Sequence, residues 1–324
     1  MRILVTGGAG YIGSHFVRMA SKSDDEVIVA DNLSRGHQES IPDGVQFKNV
    51  DIRDAEKISE VIRKHSPEAV VHFAAFAYVG ESVEHPELYY QNNVVGSYNL
   101  IRAASENKVK YFVFSSTCSV YGNPSKVPIS EEAQTNPINP YANTKLMIEM
   151  TLKDFQSAYG MKYVSLRYFN AAGADDSGEI GESHKPEPHL IPIVLEAVCG
   201  KREKVSVFGN DYNTPDGTCI RDYIHVNDLS NAHVKALEHL SSGNESTIIN
   251  LGTGAGNSVM EIIKTAESIT GKKIEFKISE RRKGDPAILV ADNTKALKIL
   301  NWKPKYTIDD IIRTAWNWHQ NPKY

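Results

Sequence analysis

The feature that most constrains this chain lies at its beginning. An apolar run at residues 3–6 breaks into Gly7-Gly8-Ala9-Gly10-Tyr11-Ile12-Gly13, and an amphipathic segment with helical periodicity follows. A tight turn, close approach of backbone to a bound pyrophosphate and close helix-on-strand contact each require glycine, and the helix start offers amide donors to the anion. Alone, such a glycine triplet is a weak signal. Its context is stronger: the next apolar run ends in Asp31, 18 residues after Gly13, where a carboxylate binds the adenosine ribose hydroxyls of a dinucleotide. That carboxylate repels a ribose 2′-phosphate and favours NAD over NADP, whereas Arg35 is suited to accept such a phosphate.

Short aliphatic runs recur at 27–30, 45–49, 69–73, 111–115 and 163–166, separated by longer amphipathic stretches. Nearly continuous apolar runs are expected of parallel strands covered on both faces. The fold class is therefore α/β: a doubly wound, Rossmann-like parallel sheet over residues 1–170, with a smaller α/β substrate domain at 171–324. A helical stretch at 225–240 and a strand-like run at 247–251 are expected to return to the first domain. Beyond Asn170 the texture changes to GADDSGEIGESHKPEPHLIP and GNDYNTPDGT, and long loops in compact domains are usually functional.

Composition excludes several classes. With 324 residues the chain can bury a large core, and 36 Lys+Arg against 40 Asp+Glu show no basic stripe for nucleic acid. Cys118, Cys199 and Cys219 are odd in number and far apart, as free thiols in a reducing compartment are. No Cys or His pair has zinc-like spacing, so no metal is expected. The first residues leave no room for a signal peptide, and no run reaches the roughly 18 apolar residues of a membrane span. These readings place the chain in the cytoplasm.

In Asn139-Pro140-Tyr141-Ala142-Asn143-Thr144-Lys145, asparagine reads as a helix N-cap and proline as the first helical residue. Tyr141 and Lys145 then stand one turn apart, and Ile148, Leu152, Phe155 and Tyr159 continue that face as an apolar stripe. A lysine that opens a buried face needs a reason, and lowering the pKa of an adjacent phenol is one. Such a phenolate is a general base for a sugar hydroxyl. Upstream, FSSTCSVYG ends a candidate strand, where Thr117 can meet Tyr141 across a ligand. Serine-rich strand ends are also ordinary caps.

Together these segments resemble the extended short-chain dehydrogenase/reductase superfamily, and within it the UDP-glucose 4-epimerase family. The resemblance runs through GGAGYIGSH, DNLSRGH, HFAAFAYVGES, NNVVGSYNL, FSSTCSVYG, NPYANTK, RYFNAAGAD, HLIPIVLEAV, FGNDYNTPDGTCIRDYIHV and RRKGDPA. It implies NAD contacts from Gly7, Gly10, Tyr11, Ile12 and Gly13, then from Asp31, Asn32, Asp51 and Ile52. Further contacts are implied from Phe73, Ala74, Asn92, Tyr141, Lys145, and Tyr168 or Phe169. Tyr141 is implied as the base, Thr117 as the partner of the sugar O4, and Lys145 as holding the nicotinamide ribose. For the UDP-sugar it implies Asn170, His189, Leu190, Phe208, Arg221, Arg282 and Asp285, with Leu289 where relatives tune room for a 2-acetamido group.

Chemistry supports part of this, since Arg221 and Arg282 can neutralise a diphosphate. The competing reading pairs Arg221 with Asp216 or Asp222 and leaves Arg281 and Arg282 solvated. Cys118 and Ser119 stand where related 4,6-dehydratases carry Asp-Glu, which disfavours dehydration. Other UDP-sugar epimerases, on N-acetylhexosamine or glucuronate, remain open, as does a non-catalytic NAD-dependent sensor. Ala77 replaces a lysine that many relatives carry. A homodimer through helices at 87–106 and 140–159 is also implied.

Overall fold

The computed structural model describes residues 1–282 and 285–324. Its centre is a seven-stranded sheet made of β1 (Arg2–Thr6), β2 (Glu26–Asp31), β3 (Gln46–Asn49), β4 (Ala69–His72), β5 (Tyr111–Thr117), β6 (Lys162–Tyr168) and the strand Thr247–Leu251. From one edge the order is Thr247–Leu251, β6, β5, β4, β1, β2, β3, with every neighbouring pair parallel. The order reverses between β1 and β4, and ligands of open α/β sheets bind at the carboxyl ends of strands beside such a switch.

Alternate residues of each strand feed two cores, which is why the runs are apolar throughout. Ile3, Val5, Val29 and Val71 meet Phe16 and Val17 of α1 (Tyr11–Ala20) and Leu229 and Leu240 of the helix Val226–Ser241. Leu4, Ile28 and Val70 meet Ile58 and Ile62 of α2 (Ala55–His65), Leu100 of Gly96–Glu106 and Leu152 of Pro140–Tyr159. The 225–251 segment thus lies on the large sheet and supplies its edge strand. A third core joins the helices Leu190–Val198, Val259–Thr270 and Ile308–Gln320 through Leu195, Ile262 and Ile311.

Two expectations need correction. The 45–49 run is not covered on both faces, because β3 pairs only with β2 at the sheet's edge and leaves Gln46 and Asn49 exposed. The 87–106 stretch is not one α-helix: Pro86–Tyr89 passes into a π-helix at Tyr90–Val95 before Gly96–Glu106. A π-turn re-aims side chains, and such turns are frequent at functional sites. Here it buries Asn92 and Asn93, and Gly96 closes the stretch where a Cβ would lie 2.7 Å from Ile52 Cγ1.

Candidate active site

At the carboxyl end of β1, Gly7 adopts φ +74°, and a Cβ there would lie 2.4 Å from the Ala74 amide nitrogen. One on Gly13 would lie 2.1 Å from the Gly7 carbonyl oxygen. Only glycine lets β1, the turn and α1 approach so closely. At Gly10 a Cβ would meet nothing but the Gly7 carbonyl, at 3.3 Å, so the space over the helix start is open to a ligand. The helix α1 has no side-chain cap and no acidic residue in its first turn, which leaves its first amides and positive dipole end for an anion.

Asp31, 8% exposed, accepts the Ala9 amide at 3.0 Å and the Leu33 amide at 2.8 Å. Burial raises its pKa against the opposing effect of these amides. Asn32 donates to Asp51 at 2.9 Å, and the Arg53 guanidinium holds Asp51 down to about 2. Ile52 is buried beneath Gly96. A glycine turn, an uncapped helix start and a buried carboxylate at the end of the next strand together fit a dinucleotide.

Arg35 is committed elsewhere, with a nitrogen 2.6 Å from both oxygens of Glu81 and its guanidinium 4.5 Å and 4.3 Å from the ring centres of Phe76 and Tyr78. A cation therefore does stand beside Ala77, carried by another loop. Phe73 packs against Phe16 and His233. Tyr11 donates to the Gly173 carbonyl at 2.6 Å and so ties the glycine turn to the chain's second half.

The helix Pro140–Tyr159 starts as its sequence dictates, with Asn139 accepting the Ala142 amide at 2.9 Å. Its inner face holds Lys145 at 2% exposure, Ile148 and Leu152, but Tyr159 at its end is 68% exposed. Lys145 donates to the Ser115 carbonyl at 2.7 Å, with its nitrogen 5.9 Å from the Tyr141 ring centre. The β5 strand runs two residues beyond the expected 111–115 span, to Thr117. Thr117, 7% exposed, accepts the Ser119 amide at 3.1 Å, and its side chain acts on the Tyr141 phenol to lower its pKa. Ser115 shares a hydrogen bond with the hydroxyl of Tyr168, which is 7% exposed.

The expected low phenol pKa is not found. Burial pushes Tyr141 up to about 12, with Thr117 acting in the opposite direction. Burial lowers Lys145 from 10.5 to about 7, opposed by the charge of Glu149. The same loss of water that makes Lys145 a poor cation therefore protects the proton on Tyr141.

Between pH 7 and 10.5 the unfolded chain holds the Lys145 proton and the folded chain does not, so this group makes stability rise with pH through that window. Its cost is complete below the window. Lys145→Met is accordingly expected to raise the ligand-free chain's unfolding free energy at pH 7 by on the order of a few kcal/mol. The gain should shrink toward the top of the window. Urea titrations at both ends would sink this if the variant is the less stable protein at pH 7.

In the second half of the chain, Arg221 is 8% exposed and bonds Asp285 at 2.5 Å and the Ile220 carbonyl at 2.8 Å. Neither Asp216 nor Asp222 is its partner. Asp222 accepts the Thr253 amide at 2.7 Å, the Thr253 hydroxyl at 2.6 Å and the Ala291 amide at 3.1 Å, while Asp216 accepts from Thr218 and Ser258. Arg282 stacks 4.1 Å over Phe208 and has no carboxylate partner among the described residues. Arg281, by contrast, pairs with Asp211 at 2.6 Å. Lys283 and Gly284 of the RRKGDPA block lie outside the described residues.

Leu289 packs with Phe169, Cys118 and Tyr121, beside the Thr117 turn. Asn170 donates its amide to the Asp222 carbonyl at 2.9 Å. His189 precedes the helix that begins at Leu190, and its imidazole turns to Glu182 and Glu187.

Several positioning residues escaped the sequence reading. Asn93, fully buried, accepts the Phe76 amide at 2.8 Å and donates to the Phe76 carbonyl at 3.0 Å and to Thr144 at 3.1 Å. It joins the loop below the glycine turn to the helix of Tyr141. Its one sequence signal is the pair Asn92-Asn93, poor helix formers inside a helical run. Glu149, with Ser116 and Arg167, forms a buried network behind the same helix.

A model described as the NAD dependent epimerase/dehydratase family matches residues 3–252. A Halalkalibacterium halodurans protein named UDP-glucose 4-epimerase is 52% identical over 321 residues, 99% of this chain and 96% of that protein. The structure of Brucella ovis UDP-glucose 4-epimerase in complex with NAD superposes with a TM-score of 0.95 at 48% identity, covering 97% of each chain. That of the Bifidobacterium longum enzyme, in complex with NAD+ and UDP, gives 0.94 at 39% identity and covers 99% of each chain. Among the described residues no helix is long and apolar enough to cross a membrane.

Proposed function

The chain belongs to the NAD dependent epimerase/dehydratase family, and from that premise we propose that it interconverts UDP-glucose and UDP-galactose, with NAD as its cofactor. The observation that carries the reading is the placing of Tyr141, Lys145 and Thr117 at the carboxyl end of β5. NAD, when bound, supplies reversible hydride exchange at the sugar C4. The glycine turn and first amides of α1 hold its pyrophosphate, Asp31 its adenosine ribose hydroxyls, and Lys145 its second ribose.

Thr117 holds the sugar O4 and Tyr141 takes its proton as C4 is oxidised, then returns that proton to O4 once the 4-keto sugar has turned its other face to the cofactor site. Arg221 and Arg282 neutralise the UDP diphosphate, with the helix start at Leu190 as a further anion donor. Firm hold on the diphosphate and loose hold on the hexose let the ketone turn. We assign the cofactor to residues 1–170 with the returning segment 225–251, and the UDP-sugar to the remainder. Cys118 and Ser119 cannot supply the acid-base pair of a dehydratase. A sensor has no use for Thr117, Tyr141 and Lys145 together.

Leu289 beside the Thr117 turn favours one further reading, acceptance of a UDP-N-acetylhexosamine. The test is to incubate the purified protein with UDP-galactose, with and without added NAD, and follow the sugars by NMR. UDP-glucose is expected. A 4-keto-6-deoxy sugar or no conversion in either arm would overturn the proposal, and UDP-N-acetylgalactosamine run in parallel tests the further reading.

The three cysteines are free thiols, which supports a cytoplasmic location. Val95, Tyr98, Met147 and Met150 are 41%, 46%, 42% and 60% exposed on the helices proposed to pair in a homodimer. Clustered exposed apolar side chains of this kind mark association surfaces. Met150→Glu is expected to convert a dimer to a monomer in sedimentation velocity. A parent chain that already sediments as a monomer would refute it.

A further inference from the structure

The loop that leads into Leu190 gathers four ligand-type side chains. Glu182, His184, Glu187 and His189 place their donor atoms within 4.8 Å of one another. The Nδ1 atom of His189 lies 2.7 Å from Glu182 Oε1 and 2.9 Å from Glu187 Oε1. That of His184 lies 3.1 Å from Glu182 Oε1 and 3.6 Å from Glu187 Oε2. The Glu182 and Glu187 side chains are only 5% and 6% exposed, so both carboxylates need positive charge close by.

As hydrogen bonds alone, His184 Nδ1 pairs with Glu182 at 3.1 Å and His189 Nδ1 with Glu187 at 2.9 Å, which leaves the 2.7 Å and 3.6 Å approaches to the other carboxylates without a proton. Each imidazole has one hydrogen on Nδ1, yet each Nδ1 faces both carboxylates. A cation at the common centre engages all four donors at once. Tetrahedral zinc with bonds of about 2.0–2.2 Å sets its ligand atoms roughly 3.3–3.6 Å apart; the four imidazole-to-carboxylate contacts run from 2.7 to 3.6 Å, and all the donor atoms lie within 4.8 Å of one another. The donor set, two imidazole nitrogens and two carboxylate oxygens, is one that zinc accepts.

We propose that Glu182, His184, Glu187 and His189 form a structural zinc site that pins this loop. Four protein ligands close the coordination shell, as in structural rather than catalytic sites. The loop is braced from outside by Trp318, which donates to the Glu182 carbonyl at 2.8 Å. Inside, His184 meets Tyr11 of the glycine turn edge-on at 6.2 Å and Tyr78 at 5.7 Å. A zinc ion here would fix the helix start at Leu190 relative to the turn without touching the reacting sugar. The expectation that no histidine pair has zinc-like spacing is corrected here: His184 and His189 have four residues between them, a spacing zinc histidine pairs use, and only folding shows that Glu182 and Glu187 join them.

The test uses the whole chain, stripped with a chelator, loaded with one equivalent of zinc sulfate and desalted. Mass spectrometry of the metal content is expected to show about one zinc per chain, with a higher melting temperature than the stripped protein. His184→Asn and Glu187→Gln should each reduce retained zinc at least tenfold while keeping the parent circular dichroism. If either variant fails to fold, cobalt(II) added to the parent chain decides: strong visible bands of a four-coordinate N/O site support the proposal. Six-coordinate cobalt, a sulfur-to-cobalt band from the cysteines, no retained zinc, or equal retention by folded variants overturns it.

Discussion

Tyr141→Phe is expected to lower kcat for UDP-galactose epimerisation by about 10²- to 10⁴-fold, the range a positioned acid-base group contributes, with KM changed little. The ring keeps its place against Tyr89, 6.5 Å away centre to centre, so the loss falls on proton transfer rather than on packing. Steady-state kinetics of the two proteins decide it, and a kcat within tenfold of the parent would remove Tyr141 from the reaction. The buried phenol lies at about 12 in the ligand-free chain. Its turnover should therefore depend on how far Lys145 and the filled site bring that value down.

The second large effect concerns stability. Arg167 reaches Glu149 at 2.5 Å and 2.9 Å and the Tyr121 hydroxyl at 2.9 Å, with both charged side chains at most 5% exposed. Ser116 donates to Glu149 at 2.5 Å, and Tyr121 donates to Asn250 at 2.7 Å. The network thereby joins β5, the helix of Tyr141 and the edge strand. Arg167→Met strands a buried carboxylate, and about 3–5 kcal/mol of unfolding free energy should be lost. Removing both charges, as Arg167→Met with Glu149→Leu, should recover much of that loss, because the pair itself is expensive to desolvate. Denaturant titration of both variants tests the account. A single variant within about 1 kcal/mol of the parent would show that the network contributes little beyond ordinary surface pairs.

What the sequence by itself determined is everything set by neighbours along the chain. The glycine turn, Asp31 at the end of β2, the Asn139 cap and the one-turn spacing of Tyr141 and Lys145 all follow from backbone geometry and helical period. The order of β and α elements was legible for the same reason, since apolar runs report burial on both faces of a parallel sheet. Run lengths were less so: β5 and β6 extend beyond their most apolar residues because ladder hydrogen bonds do not stop where hydrophobicity does.

Only the tertiary structure decided the partners and the charges. Arg221 lies beside Asp285, 64 residues away, and not beside Asp222, its neighbour in the chain. Lys145 rests on the Ser115 carbonyl, and Glu149 on Arg167. Ionisation follows the same rule. A helical spacing places Lys145 near a phenol, but whether that phenol's pKa falls or rises depends on how much water the folded site excludes, and here the exclusion dominates. The Glu182, His184, Glu187 and His189 cluster shows it again, because its residues converge only when the loop is folded between Tyr11, Tyr78 and Trp318.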